Sequence, residues 1–305
     1  YCILNMPRYC IVIPSYCSES TIVAAITSAI NQNYKDYSIV VSDNCSQDNT
    51  IQLLSEISSK KVKVIENATY VSKSDNWNRA YSQSDDCEYF INLHSDDILN
   101  PNVLNNIDNL KSSKSVLIHG SNTRIDFLNT TKIKKKRWPL QYSLKGDHQK
   151  ELLLLGNSVG IVGTAIKKKS FDMLGGWDAK YDFYQDVELW YELSNNGDCI
   201  YSPRNFGYYR APKAYSPEKY IIETLKWYQD KIKAGLGYKL KKAAINSILQ
   251  FIEKILEKKY NLPDHVLNEM RAIKREYINS SKYLIGISTY RNLIKLKGLN
   301  IKDYD

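Results

Sequence analysis

Short apolar runs alternate with segments of helical spacing through the first 110 residues, and this alternation narrows the fold more than any other feature of the chain. Tyr9 to Ile13 leads into Pro14-Ser15-Tyr16, Tyr37 to Ser42 ends at Asp43, Val62 to Ile65 is a third run, and the run from Tyr89 ends in His94-Ser95-Asp96-Asp97. Between them, Ile22, Ile26, Ala29 and Ile30 repeat at helical spacing. So do Ile51, Leu54 and Ile57, then Trp77, Ala80 and Tyr81. Strands alternating with helices predict an α/β fold with a parallel, doubly wound sheet. That topology gathers Ser15, Asp43 and the Asp96-Asp97 pair at the carboxyl ends of the strands, where open α/β sheets bind ligands. Asn100 and Pro101 read as the N-cap and first residue of the next helix.

The residue types at this edge suggest their chemistry. Adjacent carboxylates are hard oxygen ligands suited to Mg²⁺ or Mn²⁺, ions commonly held jointly with substrate phosphates. Asp43, just past the second strand, is placed to accept hydrogen bonds from a ribose or base. No Gly-x-Gly-x-x-Gly follows the first strand and no Walker lysine motif occurs, which argues against dinucleotide oxidoreductases and P-loop enzymes.

A formal charge of +9 calls for an anionic partner. The acids at the sheet edge disfavour a nucleic-acid track there, so phosphorylated small molecules and acidic lipid remain. Six cysteines without a Cys-x-x-Cys pair predict neither a zinc site nor a disulfide framework, as expected of a cytoplasmic protein. No apolar run approaches the roughly 18 residues of a membrane span, so a soluble or peripheral protein is expected. Tyr1, in place of a methionine, reads as a trimmed end or as part of a longer chain.

Four ordered motifs carry a resemblance. Ile11-Val12-Ile13-Pro14-Ser15-Tyr16, Val40-Val41-Ser42-Asp43-Asn44-Cys45-Ser46-Gln47-Asp48-Asn49-Thr50, Ser74-Asp75-Asn76-Trp77-Asn78-Arg79-Ala80 and His94-Ser95-Asp96-Asp97 resemble the successive motifs of family 2 glycosyltransferases of the GT-A fold. The likeness continues through Gly175-Gly176-Trp177-Asp178 and Gln185-Asp186-Val187-Glu188-Leu189-Trp190 to near Arg210. It implies a Rossmann-like nucleotide-binding sheet and inverting transfer of a sugar from a nucleotide donor, expected to be a UDP-sugar. The implied acceptor is a glycan or a lipid-linked oligosaccharide, as in bacterial surface-polysaccharide (O-antigen or capsule) synthesis.

Residue by residue, the resemblance places Pro14, Ser15, Tyr16, Asp43, Asn76, Arg79, Ser95, Asp96 and Arg210 at the nucleotide, and Asp96 and Asp97 at a Mn²⁺ or Mg²⁺ ion. It places Trp177, Asp178 and Gln185 on the acceptor side and makes Asp186 the general base. A position in the first turn of a helix favours the ionised form that a base requires. Three departures stand out. His94 replaces the first aspartate of Asp-x-Asp-Asp, Gln185 replaces a glutamate, and no histidine follows Arg210. They leave open a degenerate domain that binds a nucleotide sugar, or serves as a scaffold, without turnover.

The basic run Lys132 to Arg137, followed by Trp138-Pro139, reads as a solvated hairpin tip. Past Pro217 the chain becomes rich in lysine, isoleucine and leucine, with helical spacing over 220–232, 239–259, 263–283 and 290–297. The expected division is a GT-A domain over 1–215 and a basic helical C-terminal region over 216–305. Ile245, Ile248, Phe251, Ile252 and Ile255 make one apolar face, which suits either a core or contact with an anionic membrane at the inner face of the cell membrane.

Overall fold

The computed structural model describes residues 7–84, 86–126, 140–210, 217–257, 260 and 262–277, with backbone alone at 132–133. The rest of the basic run after Ile133, the junction at 215/216 and the helix expected over 290–297 lie outside the described residues.

Strands β1 (Tyr9–Ser15), β2 (Tyr37–Asp43), β3 (Val62–Glu66) and β4 (Tyr89–Asn92) run parallel in the order β3-β2-β1-β4. Helices α1 (Ile22–Ile30), α2 (Thr50–Ser55) and α3 (Lys73–Ser82) connect them. Every residue of β1 is buried, because helices cover both faces of a parallel sheet. Side chains alternate across a strand, so Tyr9, Ile11 and Ile13 join one core while Cys10 and Val12 join another on the opposite face.

Past β4 the structure departs from a purely parallel sheet. β5 (Ile98–Leu99) and α4 (Val103–Leu110) come next, followed by β6 (Ser115–Ile125), β7 (Lys132–Ile133), β8 (Tyr142–Lys145) and α5 (Gly146–Leu154). β9 (Ala165–Lys167), α6 (Lys168–Met173), α7 (Gln185–Leu193) and β10 (Asp198–Arg210) complete the sheet region. β9 inserts between β4 and β6 and runs antiparallel to both. β10 lies parallel to β6, with β5 and β8 antiparallel to it.

The helix after the acid pair also starts later than expected. Ile98 and Leu99 pair with Tyr208 and Gly207 of β10, so the chain is still extended there, and the N-cap of α4 is Asn102 rather than Asn100. Pro101 sits in the intervening turn, where its carbonyl accepts a hydrogen bond from the Asn33 N–H at 2.8 Å.

Helices α8 (Pro217–Lys233), α9 (Tyr238–Glu257) and α10 (Asp264–Tyr277) share a hydrophobic core with the sheet. Trp227, Ile248 and Met270, each 0% exposed, lie in the same cluster as Phe90 and Trp190. Ile245, Ile248, Ile252 and Ile255 are buried and Phe251 is half-buried against them, so the apolar face of α9 belongs to the core and is closed to a membrane surface. Among the described residues no helix is long and apolar enough to cross a membrane.

Candidate active site

The carboxyl edge of the parallel strands is held together by α3. Asn76, 3% exposed, donates from Nδ2 to the carbonyls of Ser15 and Ser42 at 3.3 Å each, and its Oδ1 accepts from Ser42 Oγ (2.8 Å) and Asn67 Nδ2 (3.1 Å). One carboxamide thus brackets the ends of β1 and β2 and the loop after β3. Parallel strands leave backbone groups unpaired where they end, and a buried amide with two donors and an acceptor can satisfy several of them.

Next to this bracket the loops after β1 and β2 are cross-linked. The N–H groups of Cys17, Ser18 and Glu19 donate to Ser46 Oγ (2.8 Å), Thr50 Oγ1 (2.8 Å) and Asp48 Oδ2 (3.1 Å), while Asn49 donates back to Glu19 Oε2 from its backbone and its side chain, both at 3.0 Å. Cys17 and Cys45 hold the positive φ values, 47° and 60°, that these turns require.

Asp43 lies beneath the loops at 0% exposure, and its oxygens accept from Ser46 N at 2.8 Å and Ser46 Oγ at 2.6 Å. It therefore organises the loop, and the direct ribose or base contact expected of it is not open in this conformation. Pro14 and Ser15 are buried in β1. Tyr16 is 48% exposed and meets the Tyr70 ring edge-on at 5.1 Å. Arg79, exposed on the rim, donates to Asn67 Oδ1 at 2.7 Å.

The acid cluster follows β4. Ser95 Oγ is 2.8 Å from Ser18 Oγ, which ties this turn to the β1 loop. The ligand atoms of His94, Asp96 and Asp97 all lie within 4.8 Å of one another. Asp97 is 1% exposed, and its Oδ1 accepts the Arg210 backbone N–H at 2.8 Å. Its Oδ2 stands 3.7 Å from His94 Nδ1 and has no hydrogen-bond partner. His94 Nε2 is likewise buried without one.

Burial and the neighbouring Asp96 hold the Asp97 carboxyl well above its ordinary value, against the Arg210 N–H and guanidinium, which favour the charged form. Burial lowers His94 to about 4, against the pull of Asp96, so the imidazole is neutral near pH 7 and able to ligate. A neutral imidazole with Nδ1 3.7 Å from the unpartnered Asp97 Oδ2, beside the half-exposed Asp96 carboxylate, fits a divalent cation held by one nitrogen and two carboxylates. His94, which in sequence reads as a lost or changed ligand, lies among these candidate donors. Its signal was its place at the first position of the motif.

Asp186 sits in the first turn of α7. Its Oδ1 accepts the Val187 N–H at 2.8 Å and its Oδ2 accepts from Asn157 Nδ2 at 3.2 Å. The first-turn position was expected to favour ionisation, yet the carboxyl lies above its ordinary value. Burial outweighs the Val187 N–H, the Lys73 ammonium and Asn157. Lys73 also acts on His94, and Tyr209, pushed up to about 12 by burial, feels Asp97, Asp96 and Asp186 together. Asp186 and the acid cluster thus share an electrostatic neighbourhood that includes Lys73 and Tyr209. Lys73 carries no signal in sequence, since it contributes by position alone.

The residues expected on the acceptor side separate. Trp177, 2% exposed, packs edge-on against Trp77 (4.6 Å between ring centroids) and Trp190 (5.9 Å), so its ring belongs to the core. Gln185, also 2% exposed, donates to Ser74 Oγ at 2.7 Å and locks α7 onto α3. Asp178 is exposed and accepts the Lys180 N–H at 2.8 Å within its own turn. An acceptor contact from Trp177 or Gln185 is closed by that burial.

Comparison with known proteins agrees with this architecture. The chain is 26% identical over 184 residues to an uncharacterized glycosyltransferase of Haemophilus influenzae, covering 59% of this chain and 70% of that one. A stretch of 57 residues is 39% identical to the Escherichia coli UDP-Glc:alpha-D-GlcNAc-diphosphoundecaprenol beta-1,3-glucosyltransferase WfgD, covering 19% of this chain and 22% of that one. Among solved structures, Staphylococcus aureus TarS 1-349 in complex with UDP superposes with a TM-score of 0.62 at 17% identity, over 81% of this chain and 72% of that chain. The mannosyltransferase PcManGT of Pyrobaculum calidifontis, in complex with GDP-Man and Mn²⁺, gives 0.58 at 15% identity, over 95% and 80%. Residues 10–172 match the family described as Glycosyl transferase family 2, and the chain belongs to that family as a glycosyltransferase of α/β GT-A architecture.

Proposed function

We propose that the protein transfers a sugar from a nucleoside-diphosphate donor, a UDP-sugar, to a hydroxyl of a glycan or lipid-linked acceptor, with inversion at the anomeric carbon. The observation that carries this reading is the His94, Asp96 and Asp97 cluster after β4, with Asp186 near enough to act on Tyr209 together with Asp96 and Asp97. The E. coli relative, named as a UDP-Glc-dependent glucosyltransferase, and the TarS structures with UDP and UDP-GlcNAc support the choice of donor and a role in bacterial surface-polysaccharide synthesis. A lipid-linked acceptor would place the reaction at the cytoplasmic face of the membrane.

His94, Asp96 and Asp97 would hold Mn²⁺ or Mg²⁺, which supplies charge neutralisation to the departing diphosphate. Arg210, at the end of β10 beside Asp97, adds a fork of donors for phosphate oxygens. Asp186 takes the proton of the attacking hydroxyl, and burial that raises its pKa also strengthens it as a base. The neutral imidazole of His94 keeps a ligating atom where the family pattern has a carboxylate, which favours an active enzyme over a degenerate domain.

The test compares the parent with Asp186→Asn against UDP-glucose, UDP-GlcNAc, UDP-galactose and GDP-mannose, with Mn²⁺ or with chelator. One donor should raise the melting temperature only when metal is present. Its slow hydrolysis should fall by about 10² to 10⁴ in Asp186→Asn while stabilisation by the donor persists. Stabilisation without metal, or hydrolysis unchanged in the variant, would refute the assignment.

A further inference from the structure

The segment that leads into α7 is held by a residue from the C-terminal helices. The backbone N–H groups of Asp182, Phe183 and Tyr184 all donate to the Glu223 carboxylate of α8, Asp182 to Oε2 at 3.0 Å and the other two to Oε1 at 2.5 and 2.7 Å. Tyr184 is the N-cap of α7 and its own side chain makes no capping bond, so Glu223 holds the cap residue and the two residues before it through their main chain. Asp186 follows two residues later.

From the other side, Lys73 Nζ donates to the Asp182 carbonyl at 2.8 Å and to its carboxylate at 3.0 Å, and Gln185 bonds to Ser74. The entry to α7 is thus gripped between α3 and α8. Glu223, Trp227 and Lys231 lie four residues apart on one stripe of α8. Trp227 Nε1 donates to Glu188 Oε2 at 2.8 Å, and Lys231 Nζ donates to Glu188 at 2.8 Å and to Glu192 at 3.1 Å. The last two hold the body of α7, and Glu223 alone of the three holds the turn from which Asp186 projects.

We infer that Glu223 is a positioning residue for Asp186: by gathering the N–H groups of residues 182–184 it fixes where the base stands relative to the bound donor. The inference rests on the assignment of Asp186 as base. Removing the carboxylate leaves three donors without their acceptor and frees the turn to reorganise. A displacement of about 1 Å at a reacting group costs on the order of 10²-fold in rate.

The experiment compares Glu223→Ala, Glu223→Gln and a control, Met270→Ala, which opens a cavity in the same core away from the site. Turnover is read as hydrolysis of the UDP-sugar that the parent prefers, donor binding as calorimetry with UDP, and the loop as amide deuterium exchange over 182–186. Glu223→Ala should lower kcat about 10²-fold with KM and the UDP Kd within about threefold of the parent, and should speed exchange at 182–184. Glu223→Gln keeps an oxygen for Phe183 and Tyr184 and should recover at least about tenfold of the lost kcat.

Unchanged exchange in Glu223→Ala overturns the brace. Faster exchange with kcat within about threefold of the parent overturns the positioning role. A kcat loss matched by Met270→Ala at an equal fall in Tm reduces the effect to stability and also overturns it. If Asp186→Asn hydrolyses as fast as the parent, the base assignment falls and this inference with it, while the exchange result still reports whether Glu223 holds the turn.

Discussion

Acid should weaken this fold through one histidine. His119 on β6 is 0% exposed, with both ring nitrogens unpartnered and its ring 5.2 Å from that of Tyr201. Burial lowers its pKa from 6.5 to about 3. Between those values the unfolded chain binds a proton that the folded chain refuses. The stability contributed by the neutral form is therefore complete above pH 6.5 and is lost as pH falls toward 3. Each unit in that window costs about 1.4 kcal/mol, so going from pH 7 to pH 5 costs about 2 kcal/mol through this side chain.

His94 shifts in the same direction, but the neighbouring Asp97 shifts upward and binds a proton more readily when folded, so that pair partly cancels and His119 is the cleaner reporter. In His119→Leu an unpaired polar ring gives way to an apolar side chain of similar size, which should leave stability at pH 7 within about 1 kcal/mol of the parent. The assay is urea unfolding followed by tryptophan fluorescence at pH 7 and pH 5. The parent should lose about 2 kcal/mol more than the variant on acidification. Equal losses would refute the account of His119 as a buried, unprotonated group.

Three further outcomes follow from the site. Because Asp186 is held above its ordinary pKa and its proposed role as base requires the ionised form, kcat should fall on the acid side at a pH above the usual carboxylate range, and a pH–rate profile flat through that region would contradict that role. His94→Ala should weaken Mn²⁺ binding in the presence of UDP by at least about tenfold, measured by calorimetry, whereas unchanged binding would remove the imidazole from the donor set. Asn76→Ala should cost about 2–4 kcal/mol in denaturant unfolding, since four hydrogen bonds converge on that carboxamide, and should weaken UDP binding as the strand ends spread.

The first four strands were legible because each is a short, largely apolar run between turn residues, and their alternation with helices marks the edge at which the acids collect. β5 and β9 were not, because two and three residues carry no periodicity. They take their state from β10, β4 and β6, so the mixed character of the sheet appears only in three dimensions. At the site, motif positions single out the acid pair and Asp186, which the proposal uses, but residue type misjudged burial. Trp177 and Gln185 resemble groups that meet a ligand, and the fold uses one as core and the other as a lock between helices. The partners of Glu223 are backbone N–H groups about 40 residues earlier, and a pairing between a side chain and distant main chain leaves no pattern in a single sequence.

The stitched loops after β1 and β2 bear on the thermodynamics of donor binding. A pocket rim made of slack chain must surrender conformational freedom when a ligand arrives, at about 1–2 kcal/mol for each residue fixed. Here Cys17 to Glu19 and Ser46 to Thr50 already hold one another, and the cost of their left-handed turns is met during folding. A donor bound at this edge, as proposed, would meet a largely preformed rim, and little of its interaction energy would be diverted into ordering these loops.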